Sequence, residues 1–193
     1  MNFTRVIIFI PLLISSCASI ETEYPASWAK LTSNSNQECP NVSGLYLNKG
    51  LAAPSNPKPD YLSSPHKLQH LFFPSVWKPN VKNVNLLLTK NKKLQVSLMA
   101  NSKVEYKNEL IINKEEFNCE NGFLSFYHEE NHSTEGGSYT KTYTVNLYID
   151  KNKNLVAKVI DRQSGFAMGL IPYGHSKSYW YLYSPNKQIN KDG

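Results

Sequence analysis

Alternation of apolar and polar positions is clearest in the second half of the chain. Tyr139, Lys141, Tyr143, Val145, Leu147 and Ile149 share one side of a period-two pattern, with Thr140, Thr142, Thr144, Asn146 and Tyr148 opposite. That is the mark of a strand with one buried face, because successive side chains of an extended backbone point to opposite sides. A turn rich in Asn and Lys over residues 150–154 ends it, and further strands are predicted over 155–161, 166–171 and 178–183. Upstream, Val84, Leu86 and Leu88 alternate, a Lys/Asn turn follows, and Leu94, Val96, Leu98 and Ala100 alternate again, which predicts a hairpin. Shorter candidates cover 45–48, 110–112 and 116–119, and Asn121-Gly122 is a tight-turn dipeptide leading into a strand over 122–128.

One stretch has the helical period instead. Ser64-Pro65 reads as N-cap and first helical position, Leu68, Leu71 and Phe72 follow on one side, and Pro74 stops the turn. The expected fold is mainly all-β: an antiparallel meander forming a small barrel or sandwich, with one short helix near 65–72.

The amino-terminal pattern is of a different kind. Arg5 precedes an apolar run over 6–13, interrupted by Pro11, which closes on Ile14-Ser15-Ser16-Cys17. The run is shorter than the roughly 20 residues a membrane-spanning helix needs, so a secretory leader is expected. The last four residues resemble the bacterial lipoprotein box. That resemblance implies a diacylglyceryl group on the Cys17 sulfur, cleavage just before it and acylation of the new amino terminus. Membrane lipid, reached through acylated Cys17, is then the expected partner. Ala18, where an Asp would imply inner-membrane retention, implies an outer-membrane destination for a bacterial envelope protein. The bland alternative is an ordinary secreted protein with a chance cysteine.

The expected division is a signal peptide over 1–16, the lipidated cysteine with a polar tether over 17–38, one antiparallel β domain over 39–184 and a polar tail over 185–193. Within the tether, residues 24–28 form an apolar island around Trp28, expected to dock on the domain. Pro25-Ala26-Ser27-Trp28, then Cys39-Pro40-Asn41-Val42-Ser43-Gly44-Leu45-Tyr46, and later Phe117-Asn118-Cys119-Glu120-Asn121-Gly122, resemble a group of small uncharacterised proteobacterial lipoproteins. The resemblance covers short motifs only and implies no activity.

With Cys17 acylated, Cys39 and Cys119 remain. An exported, oxidising location favours a disulfide between them, worth about 4.5 kcal/mol in the chain-entropy account of so long a loop. Two free thiols, or half of a metal site, are the alternatives, and no Cys-x-x-Cys spacing supports the latter. The formal net charge of +6 comes from lysines scattered through Asn-rich turns. Without a basic stripe interleaved with aromatics, no nucleic-acid partner is expected.

Two histidine pairs invite a metal reading. His128-Glu129-Glu130-Asn131-His132 matches the zinc-protease pattern, in which two His on one helical turn hold the ion beside a general-base Glu. The flanking residues read as strand and loop, so the expected state is a polar loop. His66 and His70 stand four apart on the predicted helix, with no carboxylate or cysteine close in sequence to complete a site. No nucleophile elbow, P-loop or dinucleotide fingerprint occurs. Tyr173, Tyr179, Trp180, Tyr181 and Tyr183 either pack the core or line a ligand-binding mouth. The resulting expectation is a membrane-anchored binding or structural module, with no cofactor and no enzymatic activity. Its alternatives are a lipocalin-like carrier of an apolar ligand and a zinc hydrolase using His128, Glu129 and His132. An envelope assembly component, betrayed by an apolar patch away from the lipid end, is a further candidate.

Overall fold

The computed structural model describes residues 18–32, 39–57, 66–76, 78–90, 93–111, 117–120, 122–134, 137–167 and 171–186. In chain order the elements are β1 (Ala18–Ile20), β2 (Gly44–Leu47), β3 (Leu51–Ala52), α1 (Leu68–Phe72), β4 (Asn83–Leu88), β5 (Lys93–Ala100), β6 (Lys103–Ile111), β7 (Asn118–Glu120), β8 (Phe123–Thr134), β9 (Gly137–Ile149), β10 (Leu155–Ala167) and β11 (Ile171–Tyr183).

Strands β7 to β11 lie side by side in sequence order, each antiparallel to the next. The far edge of β11 is covered in parallel by β1 and, further along, by β3. A second, fully antiparallel sheet has the order β2-β4-β5-β6. Neither sheet closes on itself, so of the two architectures the pattern allowed, the open sandwich is the one formed. Val84, Leu86, Leu94, Val96 and Leu98 of the smaller sheet share one buried cluster with Leu124, Val145, Leu147, Leu155 and Tyr179 of the larger. Removing each such side chain from water contributes about 1.5–3 kcal/mol.

Helix α1 caps one side of this core through Leu68, Leu71 and Phe72, with Phe72 stacked on Phe126 at 5.1 Å. It is shorter than 65–72, since Lys67 is extended and forms a bridge with Lys49; Ser64 and Pro65 lie outside the described residues. Asn48 holds it in place. Its side chain accepts the Gln69 backbone N–H at 2.9 Å and donates to the Gln69 side-chain oxygen and the Val81 carbonyl, both at 3.0 Å.

Several boundaries differ from the pattern's reading. The segment 166–171 is not one strand: Phe166 and Ala167 end β10, Ile171 begins the antiparallel β11, and residues 168–170 lie outside the described residues. Both strands are extended by polar stretches, Arg162-Gln163-Ser164-Gly165 and Gly174-His175-Ser176-Lys177, whose composition resembles a loop. Pairing across thirteen positions outweighs that local preference. Strand β6 is likewise longer than 110–112, and its hairpin to β5 turns on Asn101 and Ser102, both at positive φ. Non-glycine residues adopt that conformation rarely, so the dipeptide carries a weak turn signal. Gly122, at φ 81°, sits in the predicted hairpin turn between β7 and β8.

The leader is the largest difference. Residues 18–32, read as part of the polar tether, lie along the larger sheet. Thr22 donates its backbone N–H to the Ser178 hydroxyl at 2.8 Å, and its carbonyl accepts the Trp180 indole N–H at 2.9 Å. The apolar island docks as expected, with Tyr24 edge-on to both Trp180 and Trp28. At the other end, Pro185 and Asn186 of the supposed tail are still bound to the domain through Tyr46 and Leu45.

Candidate functional site

Because β8 to β11 have twelve or thirteen residues each, the larger sheet runs on beyond the apolar core. Cross-strand partners share a face, so the register assembles the surface there directly. His128 pairs with Tyr143, Tyr143 with Asp161, and Asp161 with Lys177; the next same-face row is Glu130, Lys141, Gln163 and His175. The third is His132, Tyr139, Gly165 and Tyr173. The core-facing side of this sheet thus changes from apolar to ionisable and then to aromatic.

Asp161 and Lys141 form the centre of this column, 3.5 Å apart. Lys141 also lies 4.8 Å from the centre of the Tyr143 ring. Burial lifts the Asp161 carboxyl above its ordinary value, and the charges of Lys141, His175 and Lys177 pull it back only in part. For Lys141 burial acts downward, but the Tyr143 hydroxyl and the Asp161 charge outweigh it and leave the ammonium above its usual range. One Asp161 oxygen, Oδ1, is buried without a hydrogen-bond partner. The arrangement is a buried ion pair with spare acceptor capacity on Asp161.

At the sheet's far end a shallow hollow of about 580 Å³ is bordered by His132, Tyr139, Gly165, Phe166, Pro172 and Tyr173. Gly165 is required there. A Cβ on it would stand 2.3 Å from the Ser138 carbonyl oxygen and 2.7 Å from the Tyr139 backbone.

The histidine segment is not a loop. Residues 128–132 belong to β8, and both histidines face the same side. Four residues of strand separate them by about 13 Å, too far for two rings to hold one ion at bonding distance. His128 donates from Nε2 to the Leu71 carbonyl at 2.8 Å, while His132 stacks on Tyr139 at 4.6 Å and approaches Glu130 at 3.4 Å. Glu129 points to the opposite face, paired with Thr142. The helical geometry a zinc hydrolase needs from His128, Glu129 and His132 is therefore absent.

His66 precedes α1, so the shared helical face expected for His66 and His70 does not form. They are half-buried, not solvent-facing, and burial, with the Lys67 charge next, pushes both imidazoles below their usual range. Among the described residues, no group of three or more His, Cys, Asp or Glu is placed to hold a metal ion.

Cys39 and Cys119 form a disulfide, with Cα atoms 5.3 Å apart, tying the segment before β2 to β7. Cys17 lies outside the described residues; Ala18, bonded to it, is already in β1. Tyr179, Tyr181 and Tyr183 pack the core, Trp180 lies on the opposite face under the leader, and Tyr173 reaches the hollow. Among the described residues neither sheet closes into the barrel a lipocalin-like carrier would use. Among the described residues, no helix is long and apolar enough to cross a membrane.

Sequence reasoning singled out none of Asp161, Phe166 or Ile171. The alternation did place Lys141 and Tyr143 on the core-facing side, and following the same period along β10 adds Asp161, whereas Phe166 falls on the opposite face. No family model, curated protein or solved structure matches the chain.

Proposed function

We propose that this chain is a lipid-anchored bacterial envelope protein, acting as a binding or structural module held against the membrane and not as an enzyme. The observation that carries this reading is the run ending in Ile14-Ser15-Ser16-Cys17, followed at once by residues that enter the sheet. Acylation of Cys17 would supply several chains, each buried methylene contributing about 0.8 kcal/mol, which makes attachment effectively permanent. The destination implied by Ala18 is the outer membrane. The Cys39–Cys119 disulfide suits an oxidising compartment. The Asp161–Lys141 pair lies buried in the sheet and belongs to the structural part of this reading. Growth with a palmitate analogue tests the anchor. The wild-type chain takes up label and Cys17→Ala does not; equal labelling of the two rejects the reading.

A further inference from the structure

We infer that the β10–β11 end of the sandwich is a membrane-contacting surface, seated on the bilayer in which Cys17 is anchored. The inference rests on the lipid-anchor reading and adds to it an orientation and a second point of contact.

The first argument is where the anchor leaves the fold. β1 is parallel to β11, with Ala18 level with His175, Ser19 with Ser176 and Ile20 with Lys177. β1 therefore begins on the side of the start of β11, the end that carries Ile171. His175 and Ile171 are four residues apart, about 13 Å of strand. Cys17 is bonded to Ala18, the first residue of β1, so the anchoring residue is one position from the sheet.

The second argument is what that end exposes. Phe166 is 51% exposed and Ile171 56%, and Pro172 is directly opposite Phe166. Phe166 and Pro172 face one side of the sheet, and Ile171 faces the other together with Tyr139 and Tyr173, which flank Gly165. An apolar tip backed by tyrosines is the order of groups met on crossing from acyl chains to headgroups. Arg162, exposed four residues behind Phe166 on the same side of β10, lies at a height suited to lipid phosphate. An apolar patch away from the lipid end would have pointed to a protein partner; this one lies at the lipid end. Bilayer contact of this kind buries apolar groups about 5–10 Å into the headgroup and acyl boundary, within the reach estimated from Ala18.

The test uses the lipidated, full mature chain in vesicles of phosphatidylethanolamine and phosphatidylglycerol with brominated acyl chains. Single substitutions Phe166→Trp and Leu87→Trp are compared after subtraction of the parent's emission; Leu87 is an exposed residue of the smaller sheet. Bromination should quench the Phe166→Trp signal at least about twofold more than that of Leu87→Trp. Flotation with equal quenching at the two positions overturns the proposal while leaving the anchor intact. Emission at position 166 that depends on protein density but not on bromination assigns the patch to a second copy and also overturns it. Failure of the wild-type chain to float with vesicles removes the anchor reading, and this inference with it. Circular dichroism of both variants, matching the parent, shows that the comparison is made on folded protein.

Discussion

Asp161 is 4% exposed, faces Lys141 at 3.5 Å and leaves Oδ1 without a hydrogen-bond partner. Its folded-state pKa is raised, chiefly by burial. A carboxyl shifted in that direction keeps its proton longer in the folded state than in the unfolded one. Its contribution to stability is complete below the unfolded pKa of about 3.9 and is lost as pH rises through the folded value. Asp161→Asn removes that dependence, and Lys141 keeps Tyr143 as a neighbour. Melting temperatures of the two proteins between about pH 3 and pH 7 should show the variant gaining on wild type as pH rises. A variant that loses ground over the same range would contradict the assignment. Nothing local in the sequence marks this residue, because its partner is twenty positions away and its burial depends on the opposing sheet.

The leader illustrates how an element's state follows from its surroundings. Its polar composition favours an open chain, yet three contacts to β11 hold it: the β1 pairing, Thr22 on Ser178 and Trp180 on Thr22. Asn56 reinforces the same edge by accepting the Trp180 N–H at 2.8 Å and donating to its carbonyl at 2.9 Å. Trp180→Ala should cost about 3–5 kcal/mol, as large aromatic truncations in packed sites do. It should also release residues 18–32 to protease under conditions where wild type resists. Leu147→Ala, of comparable cost in the main core, serves as the control. Equal rates of cleavage in the leader for both variants would mean that Trp180 does not clamp it. The long strand β8 makes the related point for the histidine segment: a polar, charged composition reads as loop, but eleven-residue pairing with β9 draws it into the sheet. Charged side chains along such a strand also discourage edge-to-edge association.

At the scale of the molecule, the disulfide joins points 80 residues apart and encloses both α1 and the β4–β5–β6 meander. Constraining so long a loop in the unfolded chain is worth about 4.5 kcal/mol at most. The Cys39→Ser/Cys119→Ser double variant, or reduction of the wild type, should lower the melting temperature by about 10 °C. A shift under about 2 °C would show that the two sheets hold together without the staple. Without Arg5 of the proposed signal peptide, 20 Lys and Arg against 15 Asp and Glu leave a net charge of +5, which adds a general attraction toward anionic surfaces in line with the proposed seating on lipid.

Features that depend on short-range periodicity or on covalent chemistry were legible in the sequence. The alternation in β4, β5 and β9, the turn over 150–154, the Leu68/Leu71/Phe72 helix and the pairing of Cys39 with Cys119 are of this kind. The tertiary structure decided the open sandwich over a barrel, the length of β6, β8, β10 and β11, and the convergence of Asp161 on Lys141. It also decided the parallel seating of β1, which aims the residue after Cys17 along the strand that begins at Ile171. These depend on register between residues as distant as 18 and 175, where many weak contacts summed over two sheets outweigh the local preference of any one segment.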